Sequence, residues 1–492
     1  MTIEFEPVIG LEFHAELATR SKMFCSCPVV DSTTAQPNTA VCPICTGMPG
    51  VLPVVNERAV EYALRVALAL HCEIASASIF ARKNYFYPDL PKGYQISQYE
   101  QPLARNGSLL IQTSQGECAI HIRRVHLEED TGKLTHTNRE GVSYSLIDLN
   151  RAGVPLLEIV TEPDLHNPEE VRACGSALRS VLRYLEVNSG DMEKGVLRIE
   201  PNVSVRPTGS SKLGTRVEIK NLNSFRALER SVAYEIHRQS EDLRQGKPVR
   251  QETVGWDAQK GSTFVQRVKE GEDDYRYFPE PDLPPLIVEN EWIERIRASL
   301  PELPYVRYHR FIQQYGLNDY DAGVLVTEPA VADYFEQAVA AAHQATPKTI
   351  ANWISGELFS LMNQVGGIEE VQITPQALAE LVEMVAGGEI NQNTAKDVLL
   401  EMCQSGGSAS EIVARRGLQQ ISNNSSISRL VADVLAQNPE QVQAYLNGKE
   451  AVSRWLFGQV MRTAKGQANP AIVQTVLEKQ LKKLSEDYHN KT

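Results

Sequence analysis

The first 295 residues alternate between apolar and polar positions in short runs, separated by turns rich in proline and glycine. A period of two places the apolar side chains on one face of a β-strand and the polar side chains on the other. In residues 196–206 the apolar positions are Leu197, Ile199, Val203 and Val205, and the polar positions are Arg198, Glu200, Asn202, Ser204 and Arg206. Residues 216–220 repeat the pattern. The pattern predicts a sheet with one charged face, which either forms an open platform or simply faces water.

Two helix starts are well marked in the sequence. Asn167 precedes Pro168, and Asn469 precedes Pro470. An asparagine cap followed by a proline at the first helical position is typical of a helix N-terminus. Apolar residues then recur at helical spacing in both segments, which predicts one amphipathic helix after each start.

Two turn-rich segments divide the chain. Residues 278–285 contain four prolines, and residues 405–408 read Ser-Gly-Gly-Ser. Such clusters indicate loops between regular elements. The expected class is therefore α+β, with a β-rich domain at 1–295, a helical domain at 296–410 and a small all-α tail domain at 411–492.

Composition and charge narrow the class of protein. The chain has 492 residues, 42% hydrophobic and 23% charged, which is ordinary for a globular protein. No apolar run is long enough to cross a membrane, and the acidic N-terminus lacks the features of a signal or transit peptide. We therefore expect a cytoplasmic protein with no membrane contact.

The charge is unevenly distributed along the chain. The net charge is −13, yet the segment from Glu411 to the end carries 11 Lys/Arg and 7 Asp/Glu, which leaves −17 on the rest. A basic module on an acidic body suggests a nucleic-acid contact at one end. The alternative is a solvated helical surface with no such role.

Four of the eight cysteines are clustered in two short loops. Cys25 and Cys27 form one pair, and Cys42 and Cys45 form the other, in the sequence Cys-Pro-Ile-Cys-Thr-Gly. Two such loops supply the four thiolates that tetrahedral zinc requires, and four thiolates leave no open position for substrate. The spacing predicts a structural zinc ion. A redox role for the Cys-x-x-Cys pair is the alternative.

A set of acidic residues and one histidine predicts a second metal site. Glu12 and His14 lie two residues apart on a predicted strand, and Glu158 interrupts an apolar run. Glu128-Glu129-Asp130 forms a dense acidic cluster. Hard carboxylate oxygens suit Mg²⁺, which works beside nucleotide phosphates. The chain has no P-loop, no dinucleotide fingerprint and no nucleophile elbow, so an ATP site would be unusual and ammonia would need another source.

Several longer stretches, in one order along the chain, carry a resemblance to a known family. They are 8–14 (VIGLEFH), 82–89 (RKNYFYPD), 92–98 (KGYQISQ), 128–133 (EEDTGK), 148–151 (DLNR), 220–225 (KNLNSF), 274–281 (DYRYFPEP) and 465–470 (KGQANP). With these stretches the sequence closely resembles the B subunits of the heterotrimeric glutamyl/aspartyl-tRNA amidotransferases. The resemblance covers essentially the whole chain.

The resemblance implies a function and a site. It implies a cradle-shaped catalytic domain that uses ATP to phosphorylate the side-chain carboxylate on Glu-tRNA(Gln) or Asp-tRNA(Asn), before ammonia attacks. The partners would be the amidase (A) subunit, which makes the ammonia, the small (C) subunit, and the misacylated tRNA. The family's magnesium ligands, which would form the catalytic set, fall on Glu12, His14, Glu129 and Glu158. Its zinc ligands fall on Cys25, Cys27, Cys42 and Cys45, and the tail resembles a YqeY-like tRNA-binding domain.

Other interpretations remain open from sequence alone. The candidate contacts to phosphate or to the tRNA end are Lys83, Lys92, Arg151, Arg198 and Lys220, although each could instead form a structural ion pair. The chain could also be a non-catalytic, zinc-containing scaffold that binds tRNA within the same complex. The related E-type subunits have an inserted synthetase-like domain, for which this chain has no extra block between its predicted domains.

Overall fold

The computed structural model describes residues 4–268, 275–420, 423–464 and 467–489. Asp274, Lys465 and Gly466 of the stretches quoted above lie outside these residues. Backbone contacts divide the chain into two compact units, Met1–Arg307 and Tyr308–Thr492. The three-domain division at residues 295 and 410 stays a prediction.

The first unit has sixteen strands in its described residues, and nine of them form one large sheet. Its strands in chain order are β1 (Phe5–Glu16), β2 (Glu73–Ile74), β3 (Ala77–Ser78), β4 (Phe80–Asn84), β5 (Tyr94–Gln98), β6 (Ala104–Thr113), β7 (Gly116–Glu129), β8 (Lys133–Arg139), β9 (Val142–Asp148), β10 (Pro155–Thr161), β11 (Leu197–Pro207), β12 (Val217–Lys220), β13 (Glu252–Asp257), β14 (Ser262–Val268), β15 (Phe278–Pro279) and β16 (Leu286–Ile287). The large sheet has the order β14-β13-β12-β11-β1-β10-β7-β6-β2. Smaller sheets join β15-β4-β5, β16-β3 and β8-β9.

The N-terminal strand lies in the middle of the large sheet. β1 pairs antiparallel with β10 on one side and with β11 on the other. Ile9, Leu11 and Phe13 of β1 are buried in the main core. Alternation therefore directs the intervening Glu12 and His14 to the opposite face of the sheet. The central position of β1 gives these two side chains neighbours on both flanking strands.

Helices cover the apolar face of this sheet. The helices of the first unit are α1 (Glu57–Ala69), α2 (Pro168–Tyr184), α3 (Phe225–Arg244) and α4 (Asn290–Ala298), and α5 (Pro304–Tyr315) crosses the division between the units. Buried residues of α1, α2 and α3 share one core with the apolar residues of β1, β10 and β11. Burial of side chains such as Phe13 contributes roughly 1.5–3 kcal/mol each before the entropy of ordering is subtracted.

Every named element in the described part of the second unit is a helix or a helical turn. Its remaining helices are α6 (Asp319–Leu325), α7 (Pro329–Ala341), α8 (Pro347–Trp353), a π-helical turn (Ile354–Leu358), α9 (Phe359–Val365), a 3₁₀ turn (Ile368–Glu370), α10 (Pro375–Ala386), α11 (Gln392–Ser405), α12 (Ala409–Arg416), α13 (Asn424–Gln437), α14 (Pro439–Leu446), α15 (Val452–Thr463) and α16 (Pro470–His489). It contains two separate buried clusters, one between Tyr308 and Val413 and one between Ile427 and Leu481. None of the helices within the described ranges is both long and apolar enough to cross a membrane.

The structure confirms the α+β class and both predicted helix starts. The Asn167 side chain accepts a hydrogen bond from the backbone N–H of Glu170 at the start of α2. The Asn469 side chain accepts from the N–H of Ala471 at the start of α16. Each cap satisfies an amide that has no partner inside its helix, which is why both helices begin where the Asn-Pro pairs stand.

Candidate functional site

The polar face of the large sheet lines a cavity of about 1050 Å³. The alternation predicted for residues 196–206 is confirmed, because Arg198, Glu200, Asn202 and Ser204 of β11 all face this cavity. Glu218 and Lys220 of β12 extend the same face. The charged face is therefore a lined cavity rather than an open surface that simply faces water.

One histidine and two carboxylates meet on this face, and we call them the histidine cluster: His14, Glu128 and Glu158. Strand register explains their meeting, because His14 on β1 lies opposite Glu158 on β10. Nε2 of His14 is 3.6 Å from Oε2 of Glu158 and 4.0 Å from Oε1 of Glu128. One ligand atom from each residue lies within 4.8 Å of the others. The arrangement offers one nitrogen and two hard oxygen donors to a single cation.

The neighbours of the histidine cluster set its charge. Nε2 of His126 is 3.1 Å from Oε2 of Glu158, and Arg124 is 3.7 Å from the other oxygen. Burial alone would raise the pKa of Glu158, but the charge of His126 and hydrogen bonds from both histidines lower this pKa well below its usual value. Burial alone would lower the pKa of His14, but the hydrogen bond and charge of Glu158 raise it to about 9. The site is therefore built to hold positive charge next to two buried carboxylates.

The donor set fits a hard cation. Nδ1 of His14 is buried without a hydrogen-bond partner, and so is Nδ1 of His126. Buried polar atoms are rarely left unpaired, so such atoms indicate a role other than packing. Carboxylate oxygens with one imidazole are compatible with Mg²⁺, which usually keeps several waters and uses few protein ligands. His14, Glu128 and Glu158 would hold it.

A second acidic group lies on the neighbouring strands, and we call it the glutamate cluster: Glu12, Glu200 and Glu218. The side-chain amide of Asn202 donates to Glu12 at 2.9 Å, and Nζ of Lys220 donates to Glu200 at 2.9 Å. Burial, followed by the charges of Glu158, Glu218 and Glu200, raises the pKa of Glu12. Most of this group is thus already paired within the protein.

The predicted magnesium set is only partly brought together. His14 and Glu158 meet as expected, while Glu12 belongs to the neighbouring glutamate cluster. Glu129 does not line the cavity in this structure, and its assignment as a magnesium ligand stays a prediction. Its carboxylate accepts hydrogen bonds from Lys92 and, at 2.9 Å, from the backbone N–H of Ile96.

Glu128 lies beside His14 and Glu158 although the resemblance implies Glu129, and strand alternation explains the position of Glu128. His126 pairs with Glu158 across β7 and β10, so His126 faces the cavity. Glu128 lies two residues further along β7 and shares that face, whereas Glu129 points to the other. The alternation between His126 and Glu128 was a signal in the sequence that Glu128 shares the face of His126.

The five candidate cations separate into two groups. Lys83, Arg198 and Lys220 line the cavity. Burial alone would lower the pKa of Lys83, but the nearby acidic groups, Glu128 first among them, together outweigh burial and raise this pKa above the ordinary value. Lys92 instead pairs with Glu129, and Arg151 donates to the backbone carbonyls of Thr131 and Gly132. Lys92 and Arg151 thus have partners within the protein, and their assignment as phosphate or tRNA contacts stays a prediction.

Sequence reasoning did not identify a row of aromatic side chains along one side of the cavity. We call it the tyrosine row: Tyr85, Tyr275, Tyr277 and Tyr99. Tyr275 lies edge-on to Tyr85 at 5.9 Å and to Tyr277 at 6.2 Å between ring centres. Tyr277 stacks on Tyr99 at 4.1 Å with the ring planes 6° apart. Only the aromatic content of the stretches at 82–89 and 274–281 signalled it in the sequence.

The four clustered cysteines come together as the zinc prediction requires. One sulfur from each of Cys25, Cys27, Cys42 and Cys45 lies within 4.8 Å of the others. The sulfurs of Cys42 and Cys45 are 3.9 Å apart, and tetrahedral zinc with 2.3 Å bonds places its sulfurs about 3.8 Å apart. Gly47 closes the turn with φ of +70°, and a Cβ there would lie 2.5 Å from Cγ of Lys92. The residues present fit a structural zinc ion.

A buried lysine contacts this cysteine cluster. Lys22 is fully buried, and its Nζ lies 3.6 Å from Sγ of Cys45 and 3.3 Å from the carbonyl of Leu149. A hydrogen bond from Cys25 lowers the pKa of Cys45 to about 4, which favours the thiolate. Four thiolates on one divalent ion leave a net charge of −2, and the ammonium of Lys22 offsets part of it.

Replacing Lys22 with Met is expected to accelerate zinc release from the folded protein about tenfold or more, since lost partners of metal ligands typically cost 10–100-fold in affinity. The side chain keeps its length and apolar stem but loses its charge. The measurement is the rate of zinc transfer to a colorimetric chelator, with total zinc content determined first. Lys22→Arg, which keeps the charge, is the matched comparison, and equal release rates for Met and wild type would contradict this role.

Comparison with known proteins identifies the family. A family model described as GatB/GatE catalytic domain matches residues 7–294, and one described as GatB domain matches residues 333–481. The B subunit of the aspartyl/glutamyl-tRNA(Asn/Gln) amidotransferase from Thermoanaerobacter pseudethanolicus is 49% identical, covering 98% of this chain and 100% of its own. The B subunits of the same name from Thermomicrobium roseum and Moorella thermoacetica are each 51% identical over 97% of this chain, covering 99% and 100% of their own lengths. The chain therefore belongs to the family of aspartyl/glutamyl-tRNA(Asn/Gln) amidotransferase B subunits.

Proposed function

We propose that the cavity of the first unit activates the side-chain carboxylate of Glu-tRNA(Gln) or Asp-tRNA(Asn) by phosphorylation with ATP and Mg²⁺. As a member of its family, the chain is part of a tRNA-dependent amidotransferase, a ligase that forms Gln-tRNA(Gln) and Asn-tRNA(Asn). A carboxylate is a poor acyl donor, so its conversion to an amide by ammonia requires a better leaving group on the acyl carbon. The observation that carries the proposal is the histidine cluster, which lies in a cavity that Lys83, Arg198 and Lys220 also line.

The proposed chemistry has two steps. A carboxylate oxygen of the aminoacyl group attacks the γ-phosphorus of ATP, the bond to the bridging oxygen breaks, and ADP leaves. Ammonia then attacks the acyl carbon, phosphate leaves, and the nitrogen loses a proton to give the amide. Phosphoryl transfer depends mainly on positioning and on neutralising negative charge, which a cavity with fixed cations can supply.

Particular side chains fit these tasks. His14, Glu128 and Glu158 would hold Mg²⁺, which would neutralise the phosphates and orient the γ-phosphoryl group. Lys83 lines the same cavity and is kept protonated by Glu128 and the other acidic groups around it, so it is suited to a phosphate oxygen. Arg124 stands 3.7 Å from Glu158 and adds a second cation beside the cluster.

Partners complete the proposal. The family name of the relatives implies a complex of several subunits that acts on tRNA. We assign the release of ammonia to the amidase (A) subunit of a heterotrimer, and the bridging of the two larger subunits to its small (C) subunit. The tail at 411–492, with its excess of basic residues, would contact the body of the tRNA. Zinc would stabilise the first unit without taking part in the reaction.

The competing function is a scaffold that binds tRNA without catalysis, and replacing His14 with Ala separates the two. The chain, assembled with its A and C partners, is supplied with Glu-tRNA(Gln), ATP, Mg²⁺ and ammonium chloride. We expect ATP turnover and amidation to fall about 100-fold with tRNA binding retained, because one metal ligand is lost and water can only partly replace it. Undiminished amidation by the variant would leave the scaffold as the better explanation.

A further inference from the structure

The tyrosine row lies beside the histidine cluster but has no part in the phosphoryl transfer proposed above. Its four rings follow one another along one wall of the cavity, through contacts of 5.9, 6.2 and 4.1 Å between ring centres. Tyr99, at one end of the row, is 41% exposed, and Tyr87, which also lines the cavity, is 59% exposed. Large aromatic side chains left open to solvent at the mouth of a charged cavity point to a planar ligand that enters from outside.

Cations are interleaved with these rings. Nζ of Lys83 lies 5.1 Å from the centre of the Tyr275 ring, and the guanidinium of Arg124 lies 5.9 Å from that of Tyr99. Aromatic rings that stack bases, alternating with cations that follow the backbone, are the usual construction of sites for single-stranded nucleic acid. Stacking of this kind accepts any base, because every base presents a flat π surface.

We propose that the tyrosine row binds the single-stranded 3′ end of the tRNA substrate by stacking on its bases, and so directs the aminoacyl group to the histidine cluster. The inference rests on the proposed function and names a substrate subsite within it. The same stacking chemistry could come from the adenine of ATP or from the tRNA end, and two observations favour the tRNA end.

The first observation is extent. Tyr99 and Tyr277 cover each other's facing surfaces, but the remaining surfaces of the row and exposed Tyr87 together offer more aromatic area than one adenine covers. The second observation is position, since the row runs to solvent-exposed Tyr99, and exposed Tyr87 lines the same cavity. A strand attached to a large folded RNA must enter through the mouth, whereas a free nucleotide has no need for such a path. The cavity of about 1050 Å³ also lies at the upper end for a single small ligand, as expected where two substrates meet.

Replacing Tyr99 with Ala tests this inference in the assembled complex. We expect the KM for Glu-tRNA(Gln) to rise about tenfold or more, in keeping with the loss of one stacked base, while the KM for ATP stays within about twofold. Tyr99→Phe keeps the ring and should keep the KM for tRNA. Binding of the same tRNA lacking its terminal CCA should be equal for wild type and Tyr99→Ala, because that RNA has nothing to place on the row.

Two further variants provide a second test of the inference and a control outside the cavity. Tyr87 is largely exposed, so Tyr87→Ala leaves the core intact and should also weaken tRNA binding if Tyr99→Ala fails to fold. Tyr320, 75% exposed in the second unit, provides a tyrosine-to-alanine control outside the cavity. Melting temperature and zinc content report whether each variant is folded.

Each remaining outcome overturns the inference in a different way. A raised KM for ATP alone would assign the row to the adenine of ATP. An equal loss of binding for intact and truncated tRNA, or no change in either KM, would remove the 3′ end from the row. If His14→Ala abolishes amidation while Tyr99→Ala changes neither KM, this inference fails and the proposed function stands. If His14→Ala leaves amidation intact, the proposed function itself fails.

Discussion

Replacing Glu128 with Gln is expected to lower kcat for ATP-dependent amidation about 1000-fold, which corresponds to roughly 4 kcal/mol of transition-state stabilisation. The substitution keeps the size of the side chain and removes one of the two negative charges that face His14. A hard cation loses a charged ligand, which an amide oxygen replaces poorly. The measurement is single-turnover ADP formation with Glu-tRNA(Gln) over a range of Mg²⁺ concentrations, where the apparent Mg²⁺ affinity should also fall.

Glu129→Gln is the matched comparison, one residue away and chemically identical. Glu129 is buried and its partner Lys92 is largely shielded from solvent, so removing the carboxylate charge leaves the ammonium without its counter-ion. Such a change typically costs about 3–5 kcal/mol of stability. We therefore expect a lower melting temperature and an unchanged Mg²⁺ dependence of ATP turnover in the folded fraction.

The pair of variants decides between two assignments of one ligand. If Glu129→Gln loses Mg²⁺-dependent turnover in a folded protein while Glu128→Gln retains it, the placement of Glu128 in the cluster is wrong. Loss in both folded variants would mean that the whole acidic stretch is needed. Only loss confined to Glu128→Gln agrees with the register of β7 against β10.

Local features of this fold could be predicted because each depends on neighbours in sequence. The alternation in residues 196–206 correctly predicted which side chains of β11 face one way. The start of α2 followed from Asn167 and Pro168. The cysteine spacing predicted four sulfurs in one place, because each short loop supplies two of the four thiolates that bind a tetrahedral ion.

Which residues form the site depends on the pairing of strands, and local sequence patterns do not specify that pairing. β1 lies between β10 and β11, so the partners of His14 come from distant parts of the chain, Glu158 on one side and Arg198 on the other. Glu128 and Glu129 differ by one position in the sequence, and in a strand one position reverses the face, so the two assignments describe different sites. The tyrosine row and the contact of Lys22 with Cys45 likewise join segments that no periodicity connects.

The cysteine cluster is expected to stabilise part of the cavity lining in addition to its own loops. Asn38, from the loop between the two cysteine pairs, accepts a hydrogen bond from the N–H of Leu149, and Asn150 donates from its amide to the carbonyl of Gln36. Lys22 also donates to the carbonyl of Leu149. The neighbouring Arg151 donates hydrogen bonds to the backbone carbonyls of Thr131 and Gly132. Its guanidinium also lies 3.5 Å from the carboxylate of Asp130, which lines the cavity. Loss of the metal should therefore loosen the loop at 148–153.

Replacing Cys45 with Ser is accordingly expected to abolish zinc retention and to lower the melting temperature of the first unit by about 10 °C, for a loss of roughly 3–5 kcal/mol. Hydrogen exchange should increase at residues 148–153 and 130–132, because their anchors depend on the cysteine loops. Cys403→Ser, a change to a half-buried cysteine outside the cluster, is the control and should keep full zinc content. Zinc loss without faster exchange at 148–153 would show that the metal stabilises only its own loops. Faster exchange in both segments would make the zinc ion a structural support of the cavity, without a part in the chemistry and yet required for its geometry.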